Sequence, residues 1–156
     1  MLKDYDMERF NGYIIDAKDV AQPSGIFSTK RKIELRAKVI PDAGLLYEHI
    51  RSMNVVNRSW ERIMEDIQYG KTGYWSNQER IIVSAISEFI SKNECYITGI
   101  ANIYFDFSLN FRNGYTEDHP ITYDRAMKQI KEKVQLLPNP QMAFLSFLRS
   151  RGLSIQ

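Results

Sequence analysis

The stretch ECYITGIANIYFDFSLNFRNG, residues 94–114, decides the fold. From Cys95 the odd positions are Cys95, Ile97, Gly99, Ala101, Ile103, Phe105, Phe107, Leu109 and Phe111. The even positions, Tyr96, Thr98, Ile100, Asn102, Tyr104, Asp106, Ser108 and Asn110, are mixed in character. A period of two in β-branched and aromatic residues predicts a pleated strand with one apolar side. We take 95–111 as the long central strand of the fold. A bulge is expected at Gly99, where a side chain is missing. The strand ends at Asn113-Gly114, a pair suited to the two positive φ angles of a tight hairpin.

Working outward toward the N-terminus, Lys32 to Val39 alternates cleanly. Ile33, Leu35, Ala37 and Val39 form one side, and Lys32, Glu34, Arg36 and Lys38 the other. Arg9 to Val20 reads more weakly as one strand, and Gln22-Pro23-Ser24-Gly25 is turn chemistry. Together they predict an N-terminal antiparallel hairpin with one wet face. Pro41 suits a first helical position, so a helix is expected over Pro41 to Met53. A second is expected over Asn57 to Tyr69, with Trp60, Ile63, Met64 and Ile67 as one buried stripe.

Ser76-Asn77-Gln78-Glu79 is a capping box that opens a helix running to about Lys92. Its apolar cover is wide enough to meet two neighbours. Tyr115 to Pro120 reads as a loop or short return strand, and Thr122 to Leu136 is amphipathic. Asn139-Pro140 starts a last helix to about Ser150. The fold class is therefore α+β, a small antiparallel sheet packed by four or five helices.

Composition bounds the rest. The 156 residues are 44% apolar and carry 21 Lys and Arg against 19 Asp and Glu, a formal charge of +2. That suits one globular domain over 1–156 and is too mild to imply nucleic acid from net charge alone. Cys95 is the single cysteine, which excludes an internal disulfide framework and fits a reducing compartment. No apolar run approaches the roughly 20 residues of a membrane span. The start MLKDYDMERF lacks the apolar region of a secretory signal. A cytoplasmic protein without a membrane partner is expected.

No motif specifies a reaction, a metal or a cofactor, and no family resemblance is evident. Gly70-Lys71-Thr72 looks like the end of a phosphate loop, but Glu65 stands where the first glycine is needed. A helix-terminating turn is the better explanation. His49 and His119 have no second ligand at metal spacing. His119 with Asp106 or Asp118 is the one acid–base pairing the sequence offers, and it would fit a small hydrolase or transferase. Cys95 on an apolar strand side suits a structural thiol better than a nucleophile.

Two binding surfaces stand out. The last helix is apolar nearly all round, so Phe144, Phe147 and Leu148, rimmed by Arg151, are a candidate partner or self-association face. Tyr96 and Tyr104, on the mixed side of the 95–111 strand, form a second one, because tyrosine offers rigid area with a polar tip. Lys30, Arg31, Lys32, Arg36 and Lys38 form a basic strand with phosphate-contacting chemistry. The segment 45–67 has helix–turn–helix spacing, but its second helix exposes Glu61, Glu65 and Asp66, which would repel phosphates. The sequence thus favours a non-enzymatic interaction or regulatory protein, in the manner of a bacterial accessory or phage-type inhibitor protein. Nucleic-acid binding by the strand 30–38 is the alternative.

Overall fold

The computed structural model describes residues 7–20, 30–104 and 118–153, with side chains at those positions other than 30–32, 102–104 and 118–122. The strands are β1 (Glu8–Phe10), β2 (Tyr13–Asp19), β3 (Lys30–Pro41) and β4 (Cys95–Tyr104). The helices are α1 (Ala43–Arg51), α2 (Trp60–Gln68), α3 (Asn77–Asn93), α4 (Asp118–Gln135) and α5 (Pro140–Ser150), with a 3₁₀ turn at Thr72–Tyr74. The α+β class is as expected. Contacts group the chain into two compact units, one of the sheet with α4 and one of the remaining helices.

In the sheet unit the strand order is β1-β2-β3-β4. The stretch taken as the central strand thus stands at the end of the described sheet, and β2 and β3 occupy the middle. The expected hairpin at Asn113-Gly114 and the strand residues 105–111 lie outside the described residues. The segment Arg9 to Val20 is two strands, not one. Asn11 (φ 55°) and Gly12 (φ 84°) break it. Two successive positive φ angles are the requirement of the tight hairpin turn that Asn-Gly satisfies.

β3 and β4 pair antiparallel in unbroken register, from Lys30 opposite Tyr104 to Val39 opposite Cys95. The ladder passes straight through Gly99, opposite Leu35, so the expected bulge is absent. The glycine has another cause. A Cβ on Gly99 would lie 2.1 Å from the Ala126 carbonyl oxygen of α4 and 3.0 Å from the Ile130 side chain. The helix crosses the sheet so closely that no side chain fits between them. Ala126, Ile130 and Val134 of α4 are fully buried, as are Leu35, Ala37 and Val39 on the odd-numbered side of β3. The clean alternation of β3 is thus realised.

The helical unit is built on local caps that the sequence carries. Asn139 accepts from the amides of Gln141 and Met142, with Pro140 in the first helical turn. Ser76 and Glu79 form the complete capping box of α3. Pro41 is the last residue of β3, however, and Asp42 is the cap of α1, accepting from Gly44 and Leu45. A carboxylate that satisfies two free amides outcompetes proline as the starting signal. α4 begins at Asp118, so part of the expected loop 115–120 is helical. The core gathers Leu46, Tyr47, Ile50, Ile63, Ile82, Ile86, Phe89, Phe144 and Leu148. The two neighbours of α3 are the helices α1 and α5.

Two buried carboxylates set the loop geometry of this unit. The Arg58 amide donates to Glu79 at 3.0 Å, its guanidinium lies 3.5 Å from Glu79 and 3.4 Å from Asp66, and it reaches the Tyr74 carbonyl at 3.2 Å. The Trp75 indole donates to Asp66 at 3.0 Å. α2 therefore turns Ile63 and Asp66 inward, whereas Met64 and Ile67, expected in the buried stripe, are 38% and 47% exposed. The turn 70–72 is the helix terminator expected, with Gly70 at φ 67° and the Lys71 amide bonded to the Asp66 carbonyl.

Two predictions follow from these contacts. Gly99→Ala drives a methyl into backbone and should lower unfolding stability by about 1–3 kcal/mol in urea, the usual cost of overpacking; an unchanged midpoint contradicts the close crossing. Burial pushes the Glu79 carboxyl up, but the amides of Ser76 and Arg58, the Ser76 hydroxyl and the Arg58 charge outweigh it and hold its pKa below the usual value. A depressed folded pKa stabilises the fold above the unfolded glutamate pKa, and that contribution is lost as pH falls through the folded value. The melting temperature of wild type should therefore fall more steeply from neutral pH into the acid range than that of Glu79→Gln. Parallel curves would show that Glu79 carries no such linkage.

Candidate binding face

Strand alternation separates the two sides of the sheet unit. With the odd-numbered positions turned to α4, the even positions of β3 and β4 face away. Arg36, Lys38, Tyr96 and Ile100 are exposed there, and Glu34 and Thr98 are half-buried. Lys38 stands opposite Tyr96 and Arg36 opposite Thr98, so the basic strand runs beside the tyrosine strand. The Arg36 guanidinium carbon lies 4.5 Å from the centre of the Tyr96 ring. A cation over an aromatic face is attracted by the ring quadrupole and fixes the plane of the ring. Tyr96 nevertheless keeps 56% of its surface accessible.

These residues line an open groove of about 560 Å³, completed by Asp16, Lys18 and Val20 of β2 and its end. Three cations face one carboxylate across it. A recess of about 480 Å³ lies alongside, lined by Glu8, Asp16, Tyr123 and Met127 among others. Burial first, then Glu8, Asp124, Asp16 and Asp19, push the Tyr123 hydroxyl above its ordinary pKa.

The outer edge of β4 is closed by α4. The Gln129 amide donates to the Ile100 carbonyl at 2.6 Å and accepts from the Ile100 amide at 2.9 Å, as a neighbouring strand would. Lys133 donates to the Thr98 carbonyl at 2.9 Å. Covering the edge at Thr98 and Ile100 in this way hinders strand addition there. Sequence periodicity did not reveal this, because an amphipathic pattern over Thr122 to Leu136 places Lys133 simply on the outward side.

The residues expected at sites separate in space. Phe144 and Leu148 are fully buried in the helical unit's own core. Phe147 is half-buried, stacked on Phe144 with centroids 6.3 Å apart and edge-on to Phe89 at 5.5 Å. Arg151 covers Phe147, its guanidinium carbon 4.6 Å from the ring centre, and bonds to Glu88. Phe144 and Leu148 of the partner face expected on that helix are therefore turned into the core, while Met142 of α5 is 60% exposed. Tyr96 is exposed. Lys30, Arg31, Lys32 and Tyr104 hold strand positions in the β3–β4 ladder, continuing the register of Arg36 and Lys38.

For the acid–base alternative, Asp106 lies outside the described residues, and Asp118 and His119 fall in the first turn of α4. Among the described residues no three His, Cys, Asp or Glu side chains are grouped to hold a metal. No helix among them is long and apolar enough to cross a membrane. The Arg58–Asp66–Glu79–Trp75 cluster was not foreseen as a unit; the capping box alone pointed to Glu79. No family model matches the chain, and no curated protein or solved structure matches it at a significant level.

Cys95, half-buried at the start of β4, has its thiol pKa pushed up by burial. A thiol so placed is a poor nucleophile. Iodoacetamide should label it more slowly at pH 7.5 in the native protein than in urea; labelling at equal rates contradicts that environment.

Proposed function

We propose that the protein is a non-enzymatic binding protein that holds a macromolecular partner on the open face of its sheet. One observation carries the reading. Tyr96 is 56% accessible and lines a groove together with Lys18, Arg36 and Lys38. Exposed tyrosine and arginine are the residues that dominate binding energy in interfaces, because they join rigid area to a polar or charged end. The Arg36 guanidinium beside the ring adds a charged group to the same contact surface. The coverage of the β4 edge at Thr98 and Ile100 and the burial of Phe144 and Leu148 support the same choice.

The test is site-specific crosslinking. A photo-reactive phenylalanine analogue is placed at Tyr96 or, as a control, at Tyr74, which is 83% exposed on the helical unit. Irradiation in cells producing the protein should give a discrete adduct from position 96, lost when Arg36→Glu is added, and none from position 74. Equal adducts from both positions, or an adduct indifferent to Arg36→Glu, would remove the face from consideration.

A further inference from the structure

Resting on that reading of the sheet face, we infer that its occupant is single-stranded nucleic acid, with phosphates along β3 and a base stacked on Tyr96. The first support is charge. Lys18, Arg36 and Lys38 line the groove against Asp16 alone. The second is spacing. Basic residues occupy positions 30, 32, 36 and 38 of β3, interrupted by Glu34. Alternate strand positions recur every ~6.6–6.8 Å, close to the separation of successive phosphates along an extended single strand.

The third support is the platform. Beside this basic row the paired strand places Tyr96, an exposed ring, opposite Lys38. Nonspecific single-strand binders combine these two parts, a positive groove that follows the backbone and aromatic rings on which bases stack. A duplex keeps its bases stacked internally and offers none to Tyr96. An acidic peptide such as polyglutamate would satisfy the cations but offer no aromatic plane to the ring. Those differences set single strands apart from both competitors.

The experiment is fluorescence anisotropy with oligothymidylate and oligouridylate of about 20 nucleotides, enough to exceed the footprint of a small sheet platform. A matched duplex and polyglutamate serve as competitors. Binding should weaken roughly 18-fold between 50 and 200 mM salt, the change expected if about three phosphates are neutralised on a single strand. Tyr96→Ala should weaken it about fivefold or more, the typical loss of one stacked base. Arg36→Ala should weaken it and flatten the salt dependence. Lys128→Ala, exposed on α4, should have little effect.

Absence of strand binding at low salt overturns the inference, as does duplex binding that equals or exceeds single-strand binding. Strand binding indifferent to Tyr96→Ala overturns it too. Polyglutamate binding that depends on Arg36 and Tyr96, without strand binding, overturns it while leaving the sheet face as a binding surface. Loss of the position-96 crosslink as well would overturn both. Circular dichroism of each variant confirms that exposed substitutions leave the fold intact.

Discussion

The carbonyl of Ala126 occupies the space where a side chain at position 99 would be. That close crossing of α4 over β4 fixes much of the sheet unit. It buries the odd-numbered sides of β3 and β4 and seats Ala126, Ile130 and Val134 in the core. It also brings Gln129 and Lys133 within reach of the outer edge of β4. With one face and one edge covered by a single helix, the even-numbered side of the strands is left accessible. A contact as close as this tolerates no residue larger than glycine, and it determines which chemistry the sheet presents.

The helical unit solves a different problem. Its helices α1, α2 and α5 have 9, 9 and 11 residues, and isolated helices of such length are marginal. Tertiary packing around Tyr47, Ile63, Ile86 and Phe144 supplies what propensity cannot. Burying Asp66 and Glu79 is tolerable because Arg58, the Trp75 indole and backbone amides meet them with hydrogen bonds. Buried ion pairs often contribute little net stability compared with apolar packing. Here their geometric effect is plain, since they join the segment at Arg58 to α2, the 3₁₀ turn and the start of α3.

Local signals were legible where one residue does one job. The alternation Ile33, Leu35, Ala37, Val39, the Ser76–Glu79 capping box and the Asn139-Pro140 start all appear as their residues dictate. The Asn11-Gly12 turn carried the same dipeptide as Asn113-Gly114 but was hidden inside a weak apolar run. Gly99 shows why the rest was hard: a bulge and a close helix crossing leave the same mark in sequence, and only the position of α4 separates them. Asp66 turns inward for partners eight and nine residues away in sequence. An all-apolar α5 likewise does not disclose whether its second side meets its own core or a partner. The basic strand and Tyr96 were visible separately, but their adjacency comes from register.

Amide chemical-shift mapping of the ¹⁵N-labelled protein during titration with oligothymidylate would test the placement of the binding surface on the sheet most directly. The largest shifts should fall on Lys18, Arg36, Lys38 and Tyr96, the groove residues, with α5 unmoved. Shifts centred on Phe147 and Arg151, or spread evenly over the exposed lysines and arginines, would contradict a binding face on the sheet.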